Sequence, residues 1–427
     1  MNANSLFQGF LPKLLLLCGI CSFCSVGRTG TGNPVNQEKC LERAVDSLLE
    51  NAVKKQYIPG AVALIRKDGQ VILHKAYGLM NLEKNIVQST GDIFRLASMT
   101  KGLTAVAVLQ LCQSGKLNVN DPVSRFLPAF REMNVLDSVY ADSSFTSHPA
   151  NNPITVHHLL THTSGIGYGF QDERYNAIVL HQGVNEGFCE DKRTSMENTL
   201  KIAGLPLLHE PGERYTYGMS YDVLGTLVEA VSGQRFDAYI REHILEPLEM
   251  NSTFFTVPLE KRERLVKVYQ PHVQGEGLIP TLYTDINYPI TQGRQFFSGG
   301  ADLCGTAEDF SHFITMLMQK GRYKEKVILD EPYVEMMLSR QSQLEEVDSY
   351  QGYGTWIVNE KGEQKGPMSR GTYSFGGFFD TYSWGDPALG LEAVLLLQMY
   401  PTNRGQIHEK YQEYIYKKLK EEIKQYP

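Results

Sequence analysis

A serine and a lysine three residues apart, at the start of an apolar run, form a candidate nucleophile and its base. Ser98 and Lys101 lie at the start of the mostly apolar stretch 100–113, whose pattern predicts a buried helix. At this spacing both side chains share one helical face. The positive end of the helix dipole disfavours a charged lysine, which predicts a neutral amine able to take the serine proton. The alternative is a surface serine beside a solvated lysine, and Ser-x-x-Lys alone is a weak pattern.

A tyrosine in a loop between a Pro-Gly turn and a helical run is the second candidate. Tyr217 follows Pro211 and Gly212 and precedes the helical run 221–231. If it reaches the serine, its hydroxyl can carry a proton between the nucleophile and the leaving group. The alternative is a tyrosine that only packs at a helix entrance.

Two adjacent glycines inside a β-like run form the third candidate element. Gly376 and Gly377 lie between Phe375 and Phe378 in the stretch 374–384. Glycines within a strand mark the close approach of another backbone or of a ligand. As the edge of an active site, this run would offer the Phe378 N–H to an oxyanion, opposite the N–H of Ser98. The alternative is a β-bulge at a sheet edge.

With these elements, the chain resembles the superfamily of serine β-lactamases, penicillin-binding proteins and esterases. It is most similar to the class C-like branch and, in motif, to the carboxylesterases. The resemblance spans residues 58–401 and includes the stretches 58–61, 94–101, 159–165, 246–250 and 298–303. It implies that Ser98 is the nucleophile, Lys101 its base and Tyr217 the acid/base. It also implies acyl-enzyme chemistry without a metal or an organic cofactor.

Two departures from the pattern of this branch affect the expected substrate. Met219 stands where its β-lactamases carry the Asn of Tyr-x-Asn, and 375–377 stand where they carry Lys-Thr-Gly. The resemblance implies that those polar groups bind the amide and carboxylate of a β-lactam. Losing a partner for a buried polar group costs about 1–3 kcal/mol.

The sequence therefore predicts a hydrolase for carboxylic esters, with a small-molecule ester or amide as substrate. The expected oxyanion and substrate-binding residues are Phe375, Gly376, Gly377, Phe378 and Met219. One alternative is a β-lactamase or D-amino-acid-specific peptidase that acts on cell-wall-like substrates. A second alternative is a non-catalytic binding homologue.

The order of elements predicts an α+β fold of the α/β sandwich type. A helical stripe at 37–55 is followed by two β-rich runs around Asp68 and Gly69, and further β-like runs fill 353–398. We therefore expect one antiparallel sheet built from both ends of the chain, flanked by N- and C-terminal helices. The expected sheet domain comprises 37–92 and 325–427, and a mostly helical domain is inserted at 93–324.

Composition limits the compartment and the partners. Residues 14–24 form an apolar run too short for a bilayer, which predicts a signal peptide at 1–27, a linker at 28–36 and an exported, periplasmic or secreted, protein. Lipoprotein anchoring at a leader cysteine and a buried N-terminal helix are the alternatives. No transmembrane segment is expected in the mature chain. A net charge of −7 without a dense basic run argues against nucleic acid as a partner.

The cysteines and histidines point to neither a disulfide framework nor a metal site. Four cysteines would remain after the leader, and their spacing predicts no essential bridge; they are Cys40, Cys112, Cys189 and Cys304. His158 and His162 are four residues apart, but no third ligand accompanies them, so we expect no metal.

Overall fold

The structure is a computed structural model that describes residues 34–140, 144–188, 190, 192–273, 275–281, 288–342, 348–401 and 406–425. The expected signal peptide (1–27) and the first part of the expected linker (28–33) lie outside the described residues, so export stays a prediction. The first helix begins at Pro34, three residues earlier than the sequence pattern indicates. Among the described helices, none combines the length and the apolar character that crossing a bilayer requires.

The main element is an eight-stranded antiparallel sheet built from both ends of the chain. Its strand order is β12-β13-β14-β15-β16-β1-β2-β3, and four two-stranded ribbons lie outside it in the part of the chain that the structure describes. The strands are β1 Gly60–Lys67, β2 Gln70–Asn81, β3 Ile86–Val87, β4 Phe94–Arg95, β5 Asn134–Val139, β6 Phe145–Pro149, β7 Tyr269–Pro271, β8 Leu278–Pro280, β9 Cys304–Gly305, β10 Arg322–Tyr323, β11 Lys326–Val327, β12 Ser349–Gln351, β13 Trp356–Val358, β14 Tyr373–Gly377, β15 Thr381–Asp386 and β16 Leu391–Leu396.

Helices cover both faces of this sheet. The helices are α1 Pro34–Lys54, α2 Thr100–Gln113, α3 Val156–Leu160, α4 Glu173–Gln182, α5 Ser195–Ala203, α6 Ser220–Ser232, α7 Phe236–Ile240, α8 Ala307–Met318, α9 Glu331–Met337, α10 Glu360–Lys365 and α11 Ile407–Gln425. The first and last, α1 and α11, pack together on one face, and α8 packs on the other. The α+β class, the antiparallel sheet and the flanking terminal helices are thus confirmed.

Alternating side chains divide the central strand β1 between two cores. Val62 and Leu64 face the larger core on the helical side, whereas Ala63 and Ile65 face the core beneath α1 and α11. The run 61–65 of this strand is apolar because both of its faces are buried there. The hairpin between β1 and β2 forms as expected, with the two turn residues at positive φ, Asp68 at 48° and Gly69 at 79°.

The sheet takes its strands from 60–87 and 349–396, and most of the helices lie between these stretches. The exact borders of the two expected domains stay predictions. Inside the expected mostly helical domain, the stretches 134–139 and 145–149 are strands. There β5 and β6 pair as a ribbon, and every residue of β6 is exposed.

Candidate active site

The candidate nucleophile lies in a 3₁₀ turn, Ala97–Met99, that leads directly into α2. Ala97 has a φ of 48°, a left-handed conformation that costs a non-glycine residue energy and persists where its surroundings enforce it. It is fully buried in a small cluster with Val268 and Phe379. The helix behind it packs against α6, α7 and α9 and is buried over 100–109. This burial holds the nucleophile turn in place.

The structure brings together the three candidate catalytic side chains from two distant stretches. Ser98 Oγ is 2.5 Å from Tyr217 Oη and 3.1 Å from Lys101 Nζ. Lys101 is only 5% exposed, and its Nζ also donates to the carbonyl of Gly300 at 2.7 Å. A serine hydroxyl that touches both a phenol and an amine has two groups within reach of its proton.

Histidine 162 supports the tyrosine from behind. Its ring is buried and packs against the ring of Tyr217 with centroids 4.7 Å apart. Its Nδ1 accepts from the Gly218 N–H at 3.3 Å, and its carbonyl accepts from the Thr216 N–H at 2.8 Å. Burial, and secondarily the charge of Lys101, lowers the pKa of His162 well below its ordinary value. A neutral His162 thus fixes the backbone on both sides of Tyr217.

Strand β14 packs closely against the nucleophile turn. A Cβ on Gly377 would lie 2.3 Å from the Leu96 carbonyl oxygen and 2.1 Å from Thr381 Oγ1, so only glycine fits there. This is the backbone approach that paired glycines predict. Gly376 is exposed, and a Cβ there would come no nearer than 3.6 Å to the Tyr382 ring. Phe378 is half-buried, and its ring stacks on Tyr400 at 3.8 Å.

Two of the expected substrate-binding side chains lie in the core instead of facing the cleft. Phe375 is 3% exposed and packs against Phe310 and Phe313, because alternation along β14 turns it away from the exposed side of Gly376. Met219 is fully buried at the start of α6. Neither side chain is therefore placed to contact a substrate directly, and both support the cleft from behind.

The structure describes only some of the cysteines and histidines for which no disulfide and no metal site were expected. Cys112 and Cys304 are free thiols, whereas Cys189 and the side chain of Cys40 lie outside the described part of the chain. His158 Nδ1 accepts from the backbone N–H of Thr155, which caps α3. Within the described ranges, His, Cys, Asp and Glu side chains nowhere form a group of three suited to a metal ion.

Comparison with known proteins gives the family. The Beta-lactamase family model matches residues 45–415, most of the chain. The chain belongs to the beta-lactamase family. One relative of this chain is Esterase EstB from Burkholderia gladioli. The two are 28% identical over 378 residues, which cover 83% of this chain and 90% of the esterase.

Solved structures share the fold of this beta-lactamase family member. One is "EstCE1, a hydrolase with promiscuous acyltransferase activity", with a TM-score of 0.75 and 23% identity, covering 89% of this chain and 99% of that one. Another is a variant of Simvastatin Synthase (LovD) from Aspergillus terreus, with a TM-score of 0.75 and 22% identity, covering 90% of this chain and 98% of that one. At these identities the likeness shows the fold alone.

Several polar residues around the site were not expected from the sequence of this family member. Asp222 and Tyr168 lie buried near Lys101, and Asp380 pairs with His408 in the turn after β14. A carboxylate inside the apolar helix α6 was a readable signal for Asp222. The partners of the other residues are distant in sequence, so no local pattern indicated them.

Replacing Met219 by asparagine would bury an amide in an apolar core. We expect Met219→Asn to lower the free energy of unfolding by about 1–3 kcal/mol. Met219→Leu, which conserves volume, is expected to cost less than about 1.5 kcal/mol. Urea denaturation of the three proteins measures both values, and equal losses would contradict the placement of this side chain.

The His408–Asp380 pair predicts a pH-dependent contribution to stability. The two side chains are 13% and 11% exposed, and His408 Nε2 lies 2.8 Å from Asp380 Oδ1. Burial acts to lower the pKa of His408, but the charge and hydrogen bond of Asp380 together raise it above the ordinary 6.5. The folded state therefore holds the proton more tightly than the unfolded state, and the stabilisation is complete below pH 6.5. This stabilisation is lost as the pH rises through the raised pKa of His408 in the folded state.

The variant His408→Gln tests whether the stabilisation by this pair falls as the pH rises, because glutamine cannot be protonated in this range. Native protein is expected to exceed the variant in unfolding free energy by more at about pH 6 than at about pH 9. Urea midpoints at both values give the difference, in which unrelated titrating groups cancel. A constant or growing difference would contradict the assigned pair.

Proposed function

We propose that this chain is a serine hydrolase that cleaves carboxylic esters of small molecules through an acyl-enzyme on Ser98. The observation that carries the proposal is the contact of Ser98 Oγ with Tyr217 Oη at 2.5 Å and with Lys101 Nζ at 3.1 Å. A serine hydroxyl is a weak nucleophile until a neighbouring group takes its proton. Here two such groups are in reach, which a purely structural cluster does not require.

The reaction proceeds in two halves. Ser98 Oγ attacks the ester carbonyl carbon, and its proton passes to the Tyr217–Lys101 pair. The carbonyl electron pair moves to oxygen, and the backbone N–H groups of Ser98 and Phe378 are the proposed donors to this oxyanion. Collapse breaks the bond to the alcohol oxygen, which leaves with the proton. Water then attacks the acyl-enzyme by the same route and releases the acid and the free serine.

The choice of esters over β-lactams depends on two side chains. Buried Met219 occupies the place of the family's asparagine, and buried Phe375 that of its lysine. A β-lactam amide and carboxylate would lose polar partners at about 1–3 kcal/mol each. The relative EstB carries an esterase name, which supports the same choice.

A substrate panel tests the proposal. Purified protein is given a short p-nitrophenyl ester, a chromogenic cephalosporin and a peptide ending in D-Ala-D-Ala. We expect turnover of the ester and little of the other two. An aryl phosphonate should form one covalent adduct, and peptide mass spectrometry should locate it on Ser98.

Each other result has a distinct meaning. Faster turnover of the cephalosporin or of the peptide would replace the ester proposal with the β-lactamase or peptidase alternative. Neither turnover nor a phosphonate adduct would favour the non-catalytic binding homologue. An adduct on another residue would reject Ser98 as the nucleophile.

A further inference from the structure

A carboxylate that the proposed ester mechanism does not use lies beneath the catalytic side chains. Asp222 is in the first turn of α6 and is 3% exposed. Its Oδ1 accepts a hydrogen bond from Ser298 Oγ, whereas its Oδ2 has no hydrogen-bond partner among the described residues. Burying an ionised carboxylate costs several kcal/mol unless an opposite charge compensates it. An ionised Asp222 therefore needs a cation close by.

Three polar groups surround the Cα of Gly300, a residue without a side chain. A Cβ on Gly300 would lie 3.2 Å from Asp222 Oδ2, 3.2 Å from Tyr168 Oη and 3.4 Å from Lys101 Nζ. The carboxylate and the lysine nitrogen therefore lie within about 7 Å of each other across Gly300, close enough for a strong interaction in a buried site. Any larger residue at 300 would occupy this space.

The other titratable groups that face Asp222 do not supply a cation. Asp302 is already paired with Arg294 at 2.7 Å, and both side chains are buried. Burial raises the pKa of the Glu186 carboxyl to about 6, and burial together with Asp222 raises that of Tyr168 well above its ordinary value. Neither group carries a positive charge, so among the described residues Lys101 is the cation available to Asp222.

Opposing influences act on the pKa of the Asp222 carboxyl. Burial raises its pKa to about 6, while the Ser298 hydroxyl and Lys101 act in the opposite direction. A hydrogen-bonded chain also links it to the lysine. Ser298 Oγ donates to Asp222 and accepts from the Gly300 N–H at 3.1 Å, and the Gly300 carbonyl accepts from Lys101 Nζ at 2.7 Å. Asp222 is therefore linked to Lys101 both across Gly300 and through these hydrogen bonds.

We propose that Asp222 is a positioning residue whose buried carboxylate favours the ammonium form of Lys101. The proton of Ser98 then passes to Tyr217 in its ionised form, which becomes a neutral phenol. This inference rests on the proposed function. The aromatic rings around Lys101 act in the same direction, because Nζ lies 4.7 Å from the ring centre of Tyr217 and 5.9 Å from that of Tyr221. The helix dipole alone predicted that Lys101 is a neutral amine. In this proposal the buried carboxylate of Asp222 outweighs the dipole and favours the ammonium form.

The variant Asp222→Asn separates charge from geometry, since its amide oxygen still accepts from Ser298. We measure kcat/KM for the p-nitrophenyl ester, and the rate at which an aryl phosphonate labels Ser98, across the pH range. The alkaline limb of both profiles is expected to move to lower pH by about one unit or more. As a matched control, Ser298→Ala breaks the hydrogen-bonded chain but keeps the carboxylate. It is expected to lower the rates without moving the limb.

Two outcomes overturn the proposal. Superimposable profiles for native protein and Asp222→Asn would leave Asp222 with a structural role only. Faster labelling of Ser98 at neutral pH in Asp222→Asn would mean that the neutral amine of Lys101 is the base. Failure of the native protein to be labelled at Ser98 would instead reject the proposed function.

The native protein supplies a second test if Asp222→Asn does not fold. Burial without a counter-charge would remove the ammonium proton nearer to neutral pH. With Asp222 in place, the alkaline limb of Ser98 labelling in native protein is expected well above neutral pH. A limb at lower pH would overturn the proposal.

Discussion

Ser98→Ala and Tyr217→Phe are each expected to lower kcat/KM for the ester by on the order of 10⁴-fold. The two side chains touch at 2.5 Å and act as one unit, because the serine attacks only as its proton leaves. For the same reason, the double variant is expected to be no less active than the worse single variant. Single-turnover kinetics with the p-nitrophenyl ester measures all three proteins.

A tyrosine outside the site provides the matched control. Tyr333 on α9 donates to the Cys112 carbonyl at 3.3 Å, so Tyr333→Phe removes one hydroxyl and one hydrogen bond away from the catalytic group. It is expected to keep the native rate. If Tyr217→Phe retains more than about a tenth of the native rate while Ser98→Ala is inactive, the tyrosine does not carry the proton and Lys101 acts alone.

Gly377→Ala is expected to lower kcat by on the order of 10²-fold, the usual loss of one oxyanion donor. Its Cβ would lie 2.3 Å from the backbone oxygen of Leu96, and that oxygen cannot retreat without moving Ala97 and Ser98. The end of β14 must therefore shift outward, and the proposed donor, the N–H of Phe378, moves with it. Steady-state kinetics measures kcat, and thermal unfolding measures the accompanying loss of stability.

The neighbouring glycine distinguishes this steric effect from a general effect of substitution. A Cβ on Gly376 meets only the Tyr382 ring, at 3.6 Å or more, which is ordinary van der Waals contact. Gly376→Ala is therefore expected to have an effect at least about tenfold smaller on kcat. Equal effects of the two variants would show that the close approach to Leu96 does not position the donor.

Local patterns and family resemblance anticipated different parts of this structure. The Asp68-Gly69 hairpin follows from turn chemistry, and the pairing of Ser98 with Lys101 follows from helical spacing. Placing Tyr217 beside Ser98 needed the resemblance, because 119 residues separate them and no periodicity links them. The fold class was predictable because both ends of the chain carry clear β signals.

The features that escaped prediction depend on contacts distant in sequence or on weak patterns. Strand β6 is exposed along its whole length, so it lacks the alternation that marks a strand. The side chain of Phe375 was expected at the cleft, but which face of β14 it occupies is set by packing against α8. Asp222 meets Lys101 only across Gly300, and no local pattern encodes that meeting.

The position of β1 in the sheet has a consequence for the order of assembly. Its neighbours are β2, which follows at once, and β16, with Val62 paired to Leu396. One edge of the central strand thus stays unsatisfied until nearly the whole polypeptide has been synthesised. A chain that ends before β16 therefore leaves this apolar edge of β1 without its partner strand.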